Sequence, residues 1–223
     1  MRIVVKFGLM VLTSGFLAQS AFATTGSDSS LKPSQVTPAM MTKYDNEKDT
    51  IEKKPNCNQV ESPVLGAFCE RPILKSYDGK IRDLLKQIAD KRTQYPQFNV
   101  EKDQADWLQR HDQCISDKDL KMCLELSYME RYSQLMAQFE MVPKDGPLAY
   151  QCGDDKDVQL TFYATDLPTV IVRYHNEFRE AFMGPLSKGV NYTSHNLKVT
   201  ERKLAATIYW DDKTLQCDQI NAK

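Results

Sequence analysis

The stretch 158–174, VQLTFYATDLPTVIVRY, decides the fold. Val158, Leu160 and Phe162 alternate with Gln159, Thr161 and Tyr163, and Val170, Val172 and Tyr174 alternate with Thr169, Ile171 and Arg173. A period of two sends successive side chains to opposite faces of a strand. Asp166-Leu167-Pro168, between the two runs, is turn chemistry. The same period returns downstream, where Leu204, Ala206, Ile208 and Trp210 alternate with Ala205, Thr207 and Tyr209. Turn-forming residues at Gly153-Asp154-Asp155, His175-Asn176, Gly184-Pro185 and Asp211-Asp212 space the remaining segments. Many short strands with tight connections predict a small antiparallel β-barrel or sandwich over residues 148–223.

Upstream, from Cys57 to Phe139, the period is helical. Ser62-Pro63 is a cap followed by proline in the first turn, and Pro72 can open a second helix in the same way. In that second helix Ile73, Ile81, Leu84, Leu85 and Ile88 recur at helical spacing, Gly79 weakens the pattern, and Tyr95-Pro96 ends it. A third helix is expected from Glu101 to Cys114, with Trp107 and Leu108 on its buried side. Asp119 can cap a fourth, in which Met122, Leu124, Leu126, Met129, Leu135, Met136 and Phe139 supply a broad apolar face. Pro143 and Gly146-Pro147 break the chain before the strand block. The expected fold class is therefore α+β in two domains, a disulfide-stapled small helical bundle over 57–142 followed by a small antiparallel β-barrel.

Six cysteines are divided between the blocks: Cys57, Cys69, Cys114 and Cys123 in the helical one, Cys152 and Cys217 around the strands. An even set in an exported chain reads as disulfides rather than metal ligands or nucleophiles. A Cys152–Cys217 bridge would join the first and last strands. The four helical cysteines allow three pairings, which spacing leaves open.

Export is read from the N-terminus. Arg2 and Lys6 precede an apolar run from Phe7 to about Leu17, and Ala21-Phe22-Ala23 forms a cleavage site before Thr24. The run falls short of the roughly 20 apolar residues a membrane span needs and is broken by Thr13, Ser14 and Gly15. Residues 1–23 are thus expected to be a cleaved signal peptide. The mature chain would carry no membrane span and would be periplasmic or secreted. Residues 24–56 are rich in Ser, Thr, Lys, Asp and Pro, without a sustained apolar period, and read as a flexible linker. The chain holds 29 Lys and Arg against 30 Asp and Glu. Without Arg2 and Lys6 the balance is 27 against 30, a net charge of −3. That gives no case for a nucleic-acid or anionic-membrane partner.

Specific residues carry a resemblance to known families. Cys57 and Cys69 around a short helix, Asp78, the stretch Gln104-Ala105-Asp106-Trp107-Leu108-Gln109-Arg110, Asp112-Gln113-Cys114, Cys123 and Arg131 resemble the lysozyme-inhibitor LprI-type N-terminal helical domain, over about residues 57–139. This resemblance implies the pairs Cys57–Cys69 and Cys114–Cys123. Tyr150-x-Cys152, the alternating strands, Ser187-Lys188-Gly189-Val190-Asn191-Tyr192 and the closing Cys217 resemble the C-type lysozyme inhibitor domain of Gram-negative membrane-bound lysozyme inhibitors. In that family a Ser-Gly-x-x-Tyr loop enters the lysozyme cleft, and a Lys-Gly pair stands before a strand carrying Ala. Here Lys188 stands where the family has serine, with Ser187 one residue upstream, and Arg202-Lys203 stands where the family has Lys-Gly.

The resemblance implies a lysozyme-binding loop of Ser187, Lys188, Gly189, Tyr192, Arg202 and Lys203, and C-type lysozyme as partner. Residues 187–203 carry Lys188, Lys198, Arg202 and Lys203 against Glu201 alone. A solvated hairpin would show the same charge run. The alternative is a non-catalytic envelope module that binds cell-wall glycan (peptidoglycan) or an envelope protein.

No catalytic, metal or cofactor constellation is read. His111, His175 and His195 sit in no metal motif. His111 reads as a cap or surface residue, and His195 lies beside the basic stretch in sequence. There is no CxxC, no phosphate-binding glycine loop and no nucleophile elbow. Asp154-Asp155 and Asp211-Asp212 read as turn residues, and Trp107 and Trp210 as core. The chain is expected to bind rather than to catalyse.

Overall fold

The computed structural model describes residues 54–90, 94, 98–184 and 191–220. The expected signal peptide and almost all of the expected linker lie outside them.

Among the described residues four helices precede the strands: α1 (Pro63–Glu70), α2 (Pro72–Asp90), α3 (Val100–Asp112) and α4 (Leu120–Gln138). Local chemistry starts each of three. Ser62 accepts from the Leu65 amide at 3.1 Å and Asp119 from the Met122 amide at 3.0 Å. Asn99, which the sequence reading passed over, accepts from the Lys102 amide at 2.9 Å. These bonds satisfy amides that a helix start leaves unpaired. α3 ends at Asp112, and a 3-10 turn (Gln113–Ser116) carries the chain through Cys114. Leu74, Leu85, Leu124 and Leu135 are fully buried at the centre of the helical core, with Trp107 and Tyr128 beside them. Three expectations need correction. Ile73 and Met122 are exposed, because each falls just outside the stripe its helix turns inward. His111 is buried, stacked against the Trp107 and Tyr128 rings.

Eight strands follow in a closed antiparallel barrel, each beside its sequence neighbours: β1 (Lys144–Cys152), β2 (Asp155–Tyr163), β3 (Thr169–Tyr174), β4 (Glu177–Phe182), β5 (Asn191–Ser194), β6 (Leu197–Arg202), β7 (Ala205–Trp210) and β8 (Lys213–Gln219). Closure comes from β1 pairing with β8, Tyr150 opposite Gln219. A closed sheet leaves no edge for another chain to extend. The inward set is the one the alternation predicts: Val158, Leu160, Val170, Val172, Ala206, Ile208 and Trp210 are buried together. The last run departs at its start, for Leu204 is an exposed turn residue and β7 begins at Ala205. Lys203 at φ 55, His175 at φ 53 and Asp211 at φ 50 open two-residue turns of the positive-φ kind that suits strand twist. Gly146-Pro147 is not a break before the strand block, as expected from the sequence, but part of its first strand. β1 runs through it with a register shift between Asp145 and Leu148, where proline lacks a donor for the ladder.

All three expected disulfides are present, Cys57–Cys69, Cys114–Cys123 and Cys152–Cys217, and no cysteine is free. Such bridges persist in oxidising compartments. Among the described residues no helix is long and apolar enough to cross a membrane.

The helical part touches the barrel through polar contacts. Tyr77 Oη donates to Asp166 Oδ2 at 2.9 Å, the Leu167 amide to Ser133 Oγ at 3.0 Å, and Gln134 Nε2 to Glu180 Oε1 at 2.6 Å. Burial, with Asp166 adding to it, pushes the Tyr77 phenol up to about 12, so it remains a donor throughout the physiological range.

Candidate functional site

The meander fixes which connections share an end. Strands alternate in direction, so the β2–β3 connection (164–168), the end of β4 at Phe182, the start of β5 at Asn191 and the β6–β7 turn (203–204) gather at one end. The turns at 153–154, 175–176, 195–196 and 211–212 gather at the other.

At the first end, β6 alternates Leu197, Val199 and Glu201 inward with Lys198, Thr200 and Arg202 outward, and Leu197 and Val199 are buried core. Arg202 and Lys203 are consequently exposed, while Glu201 is half-buried. Burial, then the neighbouring Asp145, raises the Glu201 carboxyl above its ordinary value. The acidic member of the basic stretch is thus turned toward the barrel interior, while the two cations face water. Tyr150 is fully buried, and its hydroxyl has no hydrogen-bond partner among the described residues. Burial pushes this phenol up to about 12, with Glu201 and Asp145 adding to the effect. This end is therefore cationic outside and acidic and phenolic within.

Tyr192 is 6 % exposed and belongs to the barrel core, its ring 5.7 Å from that of Phe162. Burial, then Glu201, raises its phenol. Beside it Thr200 Oγ1 donates to Asn191 Oδ1 at 2.7 Å across the β5–β6 pair, tying down the root of the β4–β5 connection. Ser187, Lys188 and Gly189 lie outside the described residues.

The cations of 187–203 do not all share one protrusion. Lys198 is on the outer wall toward the opposite end, 5.6 Å over the Tyr209 ring. His195 occupies the β5–β6 turn, also at the opposite end, so its closeness to the basic stretch is one of sequence only. His175 faces Asp155, Nε2 to Oδ2 3.2 Å. Trp107 and Trp210 are both buried. Among the described residues no cluster of three or more His, Cys, Asp or Glu is placed to hold a metal ion.

Sequence reasoning counted Glu201 only as the acidic member of the basic stretch and Tyr150 only in the Tyr150-x-Cys152 pattern, and it missed Asp145. Extending the Leu197, Val199 alternation by one step would have turned Glu201 inward. Asp145 gave no such signal, because Gly146-Pro147 looked like a boundary.

No protein-family model matches the chain, and no curated protein matches it.

Proposed function

We propose that this is an exported inhibitor of C-type lysozyme, in which a helical domain is followed by a barrel domain whose β4–β5 connection and β6–β7 turn occlude the active-site cleft without turnover. A C-type lysozyme works with two carboxyl groups about 5 Å apart, one held protonated and one ionised. A competitor for that cleft needs cations and donors on a narrow projection from a rigid base. The observation that carries the reading is the separation of charge at one barrel end, with Arg202 and Lys203 exposed and Glu201 half-buried on the inward side of β6. The Cys152–Cys217 bridge at the β1–β8 closure supplies the rigid base. Lys188, in the sequence between β4 and β5, would place an ammonium against the enzyme's ionised carboxylate.

The test is lysis of a cell-wall suspension by lysozyme with and without the purified protein. Protection is expected, and Lys188→Ala should weaken binding by about 2–4 kcal/mol in a calorimetric titration, the usual cost of truncating one partner of a buried charge pair. No protection, together with retention on peptidoglycan, would transfer the reading to an envelope-binding module. Clearing of the suspension without added lysozyme would make the protein a hydrolase.

A further inference from the structure

A second recognition surface lies away from the barrel end, along the seam between α4 and β4. On α4, Met122, Leu126, Glu130 and Gln134 are spaced four apart and form one stripe. On β4, Phe178, Glu180 and Phe182 form the outward set, since Ala181 belongs to the barrel interior. The two stripes face each other across a concavity of about 820 Å³, with Trp107 and Arg131 also in its lining and the 195–196 turn at its rim. A volume of this size accommodates a short run of side chains.

Its walls have two parts. Met122 is 52 % and Phe178 48 % exposed, and both belong to this one groove. Beside them stand two carboxylates, Glu130, which is exposed, and Glu180, which is half-buried. Glu130 has no hydrogen-bond or ion-pair partner among the described residues, and partial desolvation raises its carboxyl. Glu180 receives one hydrogen bond, from Gln134. Two nearby cations are already committed. Arg131 is ion-paired to Asp103 and donates to Gln104 at 3.1 Å. Arg179 donates to both carboxylate oxygens of Asp211, at 2.8 and 2.9 Å, and lies 4.1 Å from the Trp210 ring centroid. Asp117 and Asp119, both engaged at the start of α4, add negative charge at one rim, against Arg110 and His195. Lining charge is therefore in anionic excess next to open apolar surface.

We propose that this groove binds an extended peptide segment of a partner protein carrying Lys or Arg beside a large apolar residue. The cation meets Glu130 and Glu180, and the apolar side chain lies between Met122 and Phe178. Charge complementarity selects the occupant, since a neutral or acidic segment would leave both groove carboxylates without a cation. This site is independent of the lysozyme reading, because Arg202 and Lys203 are at the barrel end remote from the 195–196 rim.

The test uses the full mature chain and three fluorescein-labelled tetrapeptides, Phe-Lys-Leu-Lys, Phe-Glu-Leu-Glu and Ser-Lys-Gly-Lys, titrated by fluorescence anisotropy at low ionic strength. The first should bind at least about tenfold more tightly than either of the others. Glu130→Gln with Glu180→Gln should weaken it by about tenfold or more. The side-chain amide that Glu180→Gln introduces keeps an oxygen to accept from Gln134, so the contact between α4 and β4 is kept, and a thermal midpoint no lower than that of the parent protein would verify this. Phe178→Ser should weaken binding as well, and Lys203→Ala should leave it unaltered. Equal binding of the basic and acidic peptides, no binding up to about 1 mM, or unchanged affinity in the charge-neutral double variant would overturn the proposal. So would dimerisation of the protein that Phe178→Ser abolishes, which would assign the groove to a second copy of the chain.

Discussion

Gln134 on α4 and Glu180 on β4 are joined by a hydrogen bond of 2.6 Å, and the same Gln134 accepts from the buried Arg131 at 3.0 Å. The guanidinium of the helical core is thereby coupled, through one amide side chain, to a carboxylate on the barrel wall. The pair sits where the helical and barrel hydrophobic cores stop, so polar groups rather than apolar packing connect the parts at this point.

Glu180 should make stability depend on pH in a defined direction. Desolvation raises its carboxyl above the ordinary value of 4.5, Asp103 adds to the rise, and the Gln134 bond and Arg131 oppose it. A carboxyl raised in the folded state binds its proton more tightly there than in the unfolded chain, so ionising it costs stability as pH rises past the ordinary value. That cost is fully present above the folded pKa and absent below the ordinary one. Glu180→Gln is therefore expected to raise the urea midpoint at neutral pH and to leave it little changed near pH 4 (about the unfolded value). An equal shift at both pH values would remove Glu180 as the source.

Arg131 is 1 % exposed and is held by Asp103, Gln104 and Gln134. Removing one partner of a buried pair leaves the other charge uncompensated, typically a loss of about 3–5 kcal/mol. Arg131→Met should cost about that much in urea unfolding. Adding Asp103→Leu should recover part of the loss, because the stranded carboxylate is then gone. If the two changes add without recovery, the ion pair is not what the burial of Arg131 depends on.

Elements with a buried face and a local stop signal are legible in the sequence. Val158, Leu160, Val170 and Val172 announce β2 and β3 because one face of each is the barrel core. Ser62 and Asp119 announce α1 and α4 because a capping side chain acts within one turn. β5 is not legible, since in Asn191–Ser194 only Tyr192 is buried and a four-residue strand has too few positions to display a period. The barrel end is half legible. Its cations stand in the sequence, but the inward placement of Glu201 beside Asp145 follows from closure between residues 56 positions apart. The α4–β4 groove has no local signal. Its stripes come from elements that meet only in the folded chain, and each, read alone, resembles ordinary surface.

Two glycines predict opposite outcomes for the same substitution. Gly79 is inside α2, and a Cβ there would meet nothing within 4 Å. Gly79→Ala should stabilise by about 0.5–1 kcal/mol, by limiting the unfolded chain and improving helix propensity. Gly146 has φ +113, and a Cβ there would come within 2.7 Å of the Leu160 carbonyl oxygen. Gly146→Ala should destabilise by about 1–3 kcal/mol for the backbone conformation alone, with the clash added. Paired thermal melts would check both signs, and stabilisation by Gly146→Ala would contradict the bulged path of β1.

The Cys152–Cys217 bridge should matter more to the barrel than its position at a seam suggests. It spans 65 residues and clips together β1 and β8, whose register is only Tyr150 opposite Gln219 and Gln151 opposite Asp218. The β2–β3 and β6–β7 pairs are longer, with six matched positions each. Loop-closure entropy for a loop of this length gives about 4 kcal/mol in the chain-entropy model. Replacing both residues with alanine should lower stability by up to that amount in chemical denaturation. Because the bridge clips the two-position β1–β8 pair directly, amide exchange should rise first at Tyr150, Gln151 and Asp218, while Leu160 and Val172 in the β2–β3 pair stay protected. Uniform loss of protection around the barrel would mean that the bridge stabilises the whole sheet through the unfolded state, and that the seam opens no earlier than the rest.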